Sequence, residues 1–267
     1  MPDPKDRPIA LVTGASSGIG EALTHCFAGA GYDLVLVARS ADKLQALARV
    51  LQEKHQITAT PLPADLSEPG AAPRLAATLK RRKRLPEVLV NCAGVLEQRA
   101  FVRMKPTAHQ AIIDLNISAL TAMLAHFLPM MQERGSGRVL NVASIAAFQP
   151  IPLLATYAAS KAYVLSLTES LSEELRGTGV TVTALCPGIT ATSMLHGAAQ
   201  ANQQLSRLPA FLIGDAHDVA RQGFEACLRG DVICVPGVVN QAAMLASRST
   251  PKWLLRRVGG MLARKAV

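Results

Sequence analysis

"IALVTGASSGIGEALTHCFAGAG", residues 9–31, decides how the rest of the chain is read. Residues 9–13 are a short apolar run that stops at Gly14, as a buried strand does. Apolar residues then recur at helical spacing and close on Gly29 and Gly31. A strand, a glycine turn and a helix in that order begin a βαβ unit. Gly14 permits the tight turn, while Gly18 and Gly20 let backbone approach a phosphate and let the helix pack on the sheet. With Ile19 between those glycines, the helix start offers free N–H groups and its positive dipole end to a pyrophosphate. Ser16 and Ser17 add hydroxyls.

The pattern then repeats. Apolar runs at 32–39, 57–66, 87–94, 137–144, 180–188 and 231–237 alternate with helical stretches at 41–55, through the seventies, 107–134, 157–176 and from Asp215. Continuous apolar strands alternating with helices imply a parallel sheet covered on both faces. Right-handed crossovers make it a doubly wound α/β fold, in one domain over 1–267 with no linker or solenoid repeat. Ligands in such sheets bind beyond the carboxyl ends of the strands. "TGASSGIG", "ARS", "ADL", "NCAG", "NVAS" and "CPGITAT" would therefore line one edge, with Leu66, Asn91, Ala93 and Gly94 among them.

Composition narrows the function classes. The 267 residues are 49% hydrophobic and carry a formal charge of +9, which invites a nucleic-acid reading. The excess is local. Five cations run from Lys80 to Arg84 and six more follow residue 247, where no acid follows Asp231, leaving 17 basic against 19 acidic residues elsewhere. Such runs read as solvated faces, and no nucleic-acid partner is expected. The start "MPDPKDRP" is polar, and no run approaches the length of a spanning helix. Five cysteines without a C-x-x-C pair suggest reduced thiols, so a cytoplasmic location is expected. No metal site is expected.

Two further features carry chemistry. A dinucleotide fold selective for NAD presents an acid at the end of the second strand; this chain has Arg39 and Ser40. A guanidinium there pairs with a 2′-phosphate, so NADP (as NADPH) is favoured over NAD. In "ATYAASKAYV", residues 155–164, Tyr157 and Lys161 lie four apart and share a helix face. A free phenol titrates near about 10. A neighbouring ammonium favours the phenolate, so the spacing predicts a group that exchanges a proton with a carbonyl or alcohol oxygen near neutral pH. Ser144, at a strand end, would orient that oxygen and stabilise its charge.

These segments occur in the order and spacing of the short-chain dehydrogenase/reductase family, including the thirteen-residue step from Ser144 to Tyr157, and the chain resembles that family over roughly residues 8–236. The resemblance implies a Rossmann-like sheet of about seven strands in the order 3-2-1-4-5-6-7. It also implies a nicotinamide cofactor and a catalytic set of Asn116, Ser144, Tyr157 and Lys161. In that scheme Lys161 also bonds the nicotinamide ribose, Asn116 holds a relay water and Asp65 meets the adenine. Pro187, Gly188, Thr190 and Thr192 hold the carboxamide. Two positions depart from the pattern. Cys92 stands where the family has a second asparagine, and Ser17 where many NADP-using members have a basic residue.

The family's substrate lid falls at about 190–214, where Met194 and several leucines favour an apolar substrate. The tail at about 248–267 combines Trp253 and other apolar residues with cations, a composition that suits weak contact with a membrane surface. Helices resembling the family's interface helices imply a homodimer or homotetramer. The leading expectation is NADPH-dependent reduction of a small-molecule carbonyl, or oxidation of the corresponding alcohol. The alternatives are an NAD-linked alcohol dehydrogenase of the same fold and a catalytically idle cofactor-binding scaffold.

Overall fold

The computed structural model describes residues 7–191 and 213–250, together with 253, 257 and 260. Most of the expected lid, with Thr192 and Met194, and most of the tail lie outside the described residues. Among the described residues, β1 (Ile9–Thr13), β2 (Asp33–Ala38), β3 (Ala59–Pro63), β4 (Val88–Asn91), β5 (Gly137–Val142), β6 (Val180–Leu185) and β7 (Ile233–Cys234) form one sheet. All pairings are parallel, in the order β3-β2-β1-β4-β5-β6-β7. The doubly wound sheet expected from the alternation is present. Strand order reverses between β1 and β4, so a crevice opens beyond their carboxyl ends.

Successive strand residues point to opposite faces, and the core divides accordingly. Leu11, Val35, Val37, Leu89, Val139 and Val182 pack on one side, under α3 (Ala71–Arg81), α5 (Leu120–Arg134) and α6 (Ala155–Glu174). Ala10, Val12, Leu34, Leu36, Val90 and Leu140 pack on the other, under α1 (Gly18–Gly29), α2 (Ala41–His55) and α7 (Ala216–Arg229). α7 lies so close that a Cβ on Gly223 would sit 2.6 Å from Leu185 Cδ2. Phe224 meets Phe27 edge-on at 4.9 Å, tying α7 to α1.

Four local differences from the sequence pattern have physical causes. α4 (Pro106–Ile113) runs into α5 through a π-helical turn, Asp114–Ala119, rather than as one regular helix. Such turns frequently mark functional sites, and this one contains Asn116. Pro106–Arg134 as a whole is long and apolar enough to cross a membrane, with a mean hydropathy of 1.6, but Met123, Leu124, Phe127 and Met131 are spent on the core. The last strand shrinks to two residues because Pro236 cannot donate to a ladder. A final helix, α8 (Val238–Ser249), follows it. The second helix begins after Ser40, whose side chain makes no capping bond, with Asp42 inside its first turn.

The basic run is mostly a solvated face, as expected: Lys80 to Lys83 are exposed. Arg84 differs. Its Nη2 lies 2.9 Å from Oδ2 of Asp33, a carboxylate only 1% exposed, whose Oδ1 accepts from Thr58 N. All five cysteines are free.

Candidate active site

The glycine turn is built to exclude side chains. Gly14 has φ +67°, and a Cβ there would meet Ala93 N at 2.9 Å. A Cβ on Gly20 would approach Gly14 O to 2.2 Å. Gly18 opens α1 with φ +60°. Ser17 is the N-cap residue, yet its side chain makes no capping bond, and Ser16 likewise has no side-chain partner among the described residues. Both hydroxyls and the N–H groups of the first turn, Ile19 included, are thus available to an anion. The cradle fits the pyrophosphate of a dinucleotide. Thr13 fixes it: its Oγ1 donates to Val90 O at 3.2 Å and accepts from Cys92 N at 3.0 Å and Ala93 N at 3.1 Å.

At the next strand end Arg39 and Ser40 are exposed, and Arg39 forms no hydrogen bond or ion pair among the described residues. Asp65 turns back on its own chain, where Oδ1 accepts from Ser67 N at 3.0 Å and Ser67 Oγ at 2.6 Å. The Ser67 hydroxyl bond holds its carboxyl below the usual range, helped by the field of Arg39. Leu66 beside it is buried.

The ends of β4 and β5 carry a buried polar chain. Asn91 Nδ2 donates to Asn141 Oδ1 at 2.9 Å, Asn141 Nδ2 to Thr168 Oγ1 at 3.0 Å, and Thr168 Oγ1 to Val164 O at 2.7 Å. Asn116, 1% exposed, braces the following loop. Its Oδ1 accepts from Val95 N at 2.9 Å, and its Nδ2 donates to Val95 O at 3.0 Å and Ser160 Oγ at 3.1 Å. Both Nδ2 hydrogens are committed there, so a water would have to use other atoms of the π turn. A Cβ on Gly94 would lie 3.2 Å from Asn116 Oδ1 and 3.6 Å from Lys161 Nζ, so glycine lets all three elements meet.

Tyr157 and Lys161 sit in the first two turns of α6, with Lys161 Nζ 5.7 Å from the tyrosine ring centre. Lys161 is 6% exposed and donates to Val142 O at 2.8 Å. Burial pushes its ammonium down to about 8, against the opposing fields of Cys92 and Cys186. Ser144 is buried, extended, and accepts from Ala146 N at 3.1 Å. The Tyr157 phenol is raised, not lowered as the spacing alone predicted. Burial lifts it, the Ser144 hydroxyl opposes that, and Cys92 adds to it. Lys161 donates a hydrogen bond to Val142 O, and its field is not among the causes of this shift.

Beyond β6, Pro187 O accepts from Ile145 N at 3.0 Å, joining this turn to Ser144's neighbour. Thr190 Oγ1 donates to Gly188 O at 3.1 Å, and Thr190 bridges to Gly214. Asn240 of α8 fills the space where a Gly188 side chain would go, with Oδ1 2.4 Å from that Cβ position. The site therefore brings together Gly14, Asn91, Ala93, Gly94, Asn116, Ser144, Tyr157, Lys161 and Pro187 along one sheet edge. Sequence reasoning passed over Thr13, Asn141, Thr168, Ser160 and Asn240. Asn141 had a signal, an amide inside the otherwise apolar run "RVLNVAS"; Asn240 had none.

A doubly wound sheet with an anion cradle at its switch point and a Ser–Tyr–Lys group beside it defines a nicotinamide-dependent oxidoreductase. The sequence matches the short chain dehydrogenase family over residues 8–203, and the chain belongs to that family. It is 34% identical over 186 residues to an uncharacterised oxidoreductase of Staphylococcus saprophyticus, covering 70% of this chain and 80% of that one. Its fold is similar to a short-chain dehydrogenase from Sphingobium yanoikuyae solved in complex with NADPH (TM-score 0.81, 31% identity, 90% of this chain and 93% of that one). It is also similar to a bulky-bulky ketone specific alcohol dehydrogenase from Comamonas testosteroni (TM-score 0.76, 27% identity, 92% and 95%).

Proposed function

We propose that this enzyme reduces the carbonyl group of an apolar substrate with NADPH, and oxidises the corresponding secondary alcohol in reverse. The observation that carries the reading is the grouping of Ser144, Tyr157 and buried Lys161 beside an anion cradle. Gly14, Ser16, Ser17, Gly18, Ile19 and Gly20 would hold the pyrophosphate. Arg39, exposed, without an acid at its strand end and with Ser40 beside it, would meet the 2′-phosphate. Asp65 and Leu66 would border the adenine, Asn91, Ala93 and Gly94 the riboses, and Pro187, Gly188, Thr190 and Thr192 the carboxamide. The sequence-similar NADPH complex supports this cofactor, and the ketone-specific neighbour supports a bulky ketone as substrate.

When bound, the reduced cofactor supplies hydride to the carbonyl carbon. The chain's own part is placement and proton transfer. Ser144 donates a hydrogen bond to the substrate oxygen, where negative charge develops. Tyr157, kept protonated by its burial, delivers its proton to that oxygen. Lys161 stabilises the resulting phenolate and bonds the cofactor ribose. Asn116 braces the loop that carries Val95, and a proton relay would run through the main chain of its π turn. Met194 and the lid would cover the substrate. α5 and α6, joined by a 2.9 Å contact between Thr121 Oγ1 and Tyr163 Oη, would build a homodimer or homotetramer interface. Free cysteines agree with a cytoplasmic location.

The test pairs a panel of ketones of graded chain length, followed by NADPH absorbance, with Arg39→Ala. The substitution should weaken NADPH binding by about tenfold or more and leave NADH nearly unchanged, since one charge-assisted contact is removed. Equal losses for the two cofactors would defeat the assignment.

A further inference from the structure

The helix that carries Tyr157 starts without a side-chain cap. Leu154 is the N-cap residue of α6 and makes no capping bond, and Leu153 before it is held at φ +69°, a left-handed conformation unfavourable for a leucine. Such an entry persists only where neighbouring elements fix it. Two bonds from outside α6 do so. Arg99 N donates to Leu153 O at 2.9 Å, and His109 Nδ1 of α4 lies 2.7 Å from Thr156 Oγ1. The other ring nitrogen of His109, Nε2, lies 3.2 Å from Phe101 O. A carbonyl only accepts, so in the neutral ring Nε2 carries the hydrogen and Nδ1 accepts from the Thr156 hydroxyl. The two rings of His109 and Phe101 are 4.2 Å apart. His109 thus joins the short turn Phe101–Arg103 to the first turn of α6.

Asn116 does the same one turn further along α6. Its Nδ2 donates to Ser160 Oγ at 3.1 Å, and that hydroxyl donates to Tyr157 O at 2.7 Å. Thr156 and Ser160 are four apart and share one face of α6; Tyr157 and Lys161, each one position on, share the next. α4 and the π turn therefore grip α6 at two points that keep step with Tyr157 and Lys161. A single grip at Ser160 would leave the first turn free to swing about it. We propose that His109 is a positioning residue for Tyr157: bound to Thr156, it sets where the phenol stands against the Ser144 hydroxyl. Lys161 is held independently, by its 2.8 Å bond to Val142 O and by the Ser160 grip beside it. Loss of His109 displaces the proton donor and spares the proposed ribose contact. The catalytic consequence rests on the reading of Tyr157 as donor; the placement of its ring does not.

The experiment uses the full chain with three substitutions. His109→Phe keeps a ring beside Phe101 and removes both bonds, His109→Asn retains an oxygen that can accept from Thr156, and Thr156→Val removes the hydroxyl alone. Ketone reduction and NADPH fluorescence titration are measured on each. The ring-carbon resonances of isotope-labelled tyrosine are recorded on the cofactor-free protein, with Tyr157 assigned through Tyr157→Phe. His109→Phe and Thr156→Val should each lower kcat by about tenfold to a hundredfold, as a slightly misplaced reacting group does, and leave NADPH affinity within about threefold. Both should move the Tyr157 resonance and leave that of Tyr32 in place. The double variant should lose no more than either single one, and His109→Asn should recover part of both signals. Unchanged kcat with an unmoved resonance overturns the proposal. So does a loss of NADPH affinity as large as the loss of kcat, which would mean general damage to the fold, and so does His109→Asn behaving as His109→Phe. If wild type reduces no ketone, the proposed reaction fails and the resonance alone decides: movement in both variants upholds the positioning, and no movement overturns it.

Discussion

Replacing Lys161 by Met should make the protein more stable while removing its activity. Lys161 is 6% exposed, and burial lowers its ammonium from the ordinary 10.5 to about 8. In that interval the unfolded chain binds a proton that the folded chain does not, so stability rises with pH. The cost of the buried charge is fully present below about pH 8 and disappears as pH climbs through 10.5. A difference of that size corresponds to about 3 kcal/mol. The substitution also removes the 2.8 Å bond to Val142 O, worth about 1 kcal/mol. A net gain of about 2 kcal/mol at pH 7 remains, or roughly 4–8 °C in Tm for a domain of this size. Thermal melts of cofactor-free wild type and Lys161→Met between pH 7 and pH 10.5 measure it, because the difference between the two proteins isolates this one group. The gap should favour the variant at neutral pH, close as pH rises, and reverse by up to about 1 kcal/mol once only the lost bond to Val142 O remains. A variant less stable at pH 7, or a gap that does not change with pH, would refute the reasoning.

Tyr157→Phe should lower kcat by about 10²–10⁴-fold while leaving NADPH affinity, read by fluorescence titration, close to wild type. Gly20→Ala places a methyl 2.2 Å from Gly14 O; soluble yield or cofactor binding should be lost, and a normal titration curve would show that the turn has room. Arg84→Ala leaves the 1%-exposed Asp33 carboxylate without its cation and should cost about 2–3 kcal/mol in urea unfolding, whereas Arg82→Ala should stay within about 0.5 kcal/mol.

The strands were legible because a parallel sheet covered on both faces leaves few polar positions to confuse the pattern. Seven apolar runs correspond to the seven strands. Where reading failed, it failed for local reasons. The last strand is cut short by Pro236, whose missing N–H matters more than the apolar run around it. The π turn at Asp114–Ala119 inserts one residue's worth of extra winding into a sequence whose periodicity looks uniform. α8 was invisible because the periodicity rule assumes that apolar residues face the core, and here Val238 and Leu245 face out. Arg84 looked like four neighbouring cations, since nothing in the run reveals that Asp33, fifty-one positions away, lies buried beneath it.

At the site, spacing gave position but not field. A spacing of four from Tyr157 to Lys161 puts both on one face of α6, and the structure has them so. The protonation of the phenol depends on how deeply the crevice buries it and on its contact with the Ser144 hydroxyl, and neither can be read from the chain. The raised phenol is the more useful state for a donor. A reductase must begin each turnover with the proton on Tyr157, and a phenol lowered toward neutrality in the empty site would start the cycle partly discharged. In the proposed reaction burial would keep Tyr157 loaded, while Ser144 and Lys161 would meet the charge that appears once the proton leaves. On that proposal, the two roles that a short sequence motif compresses into one lowered phenol would be divided between burial, which would hold the proton, and the neighbouring donors, which would accommodate its departure.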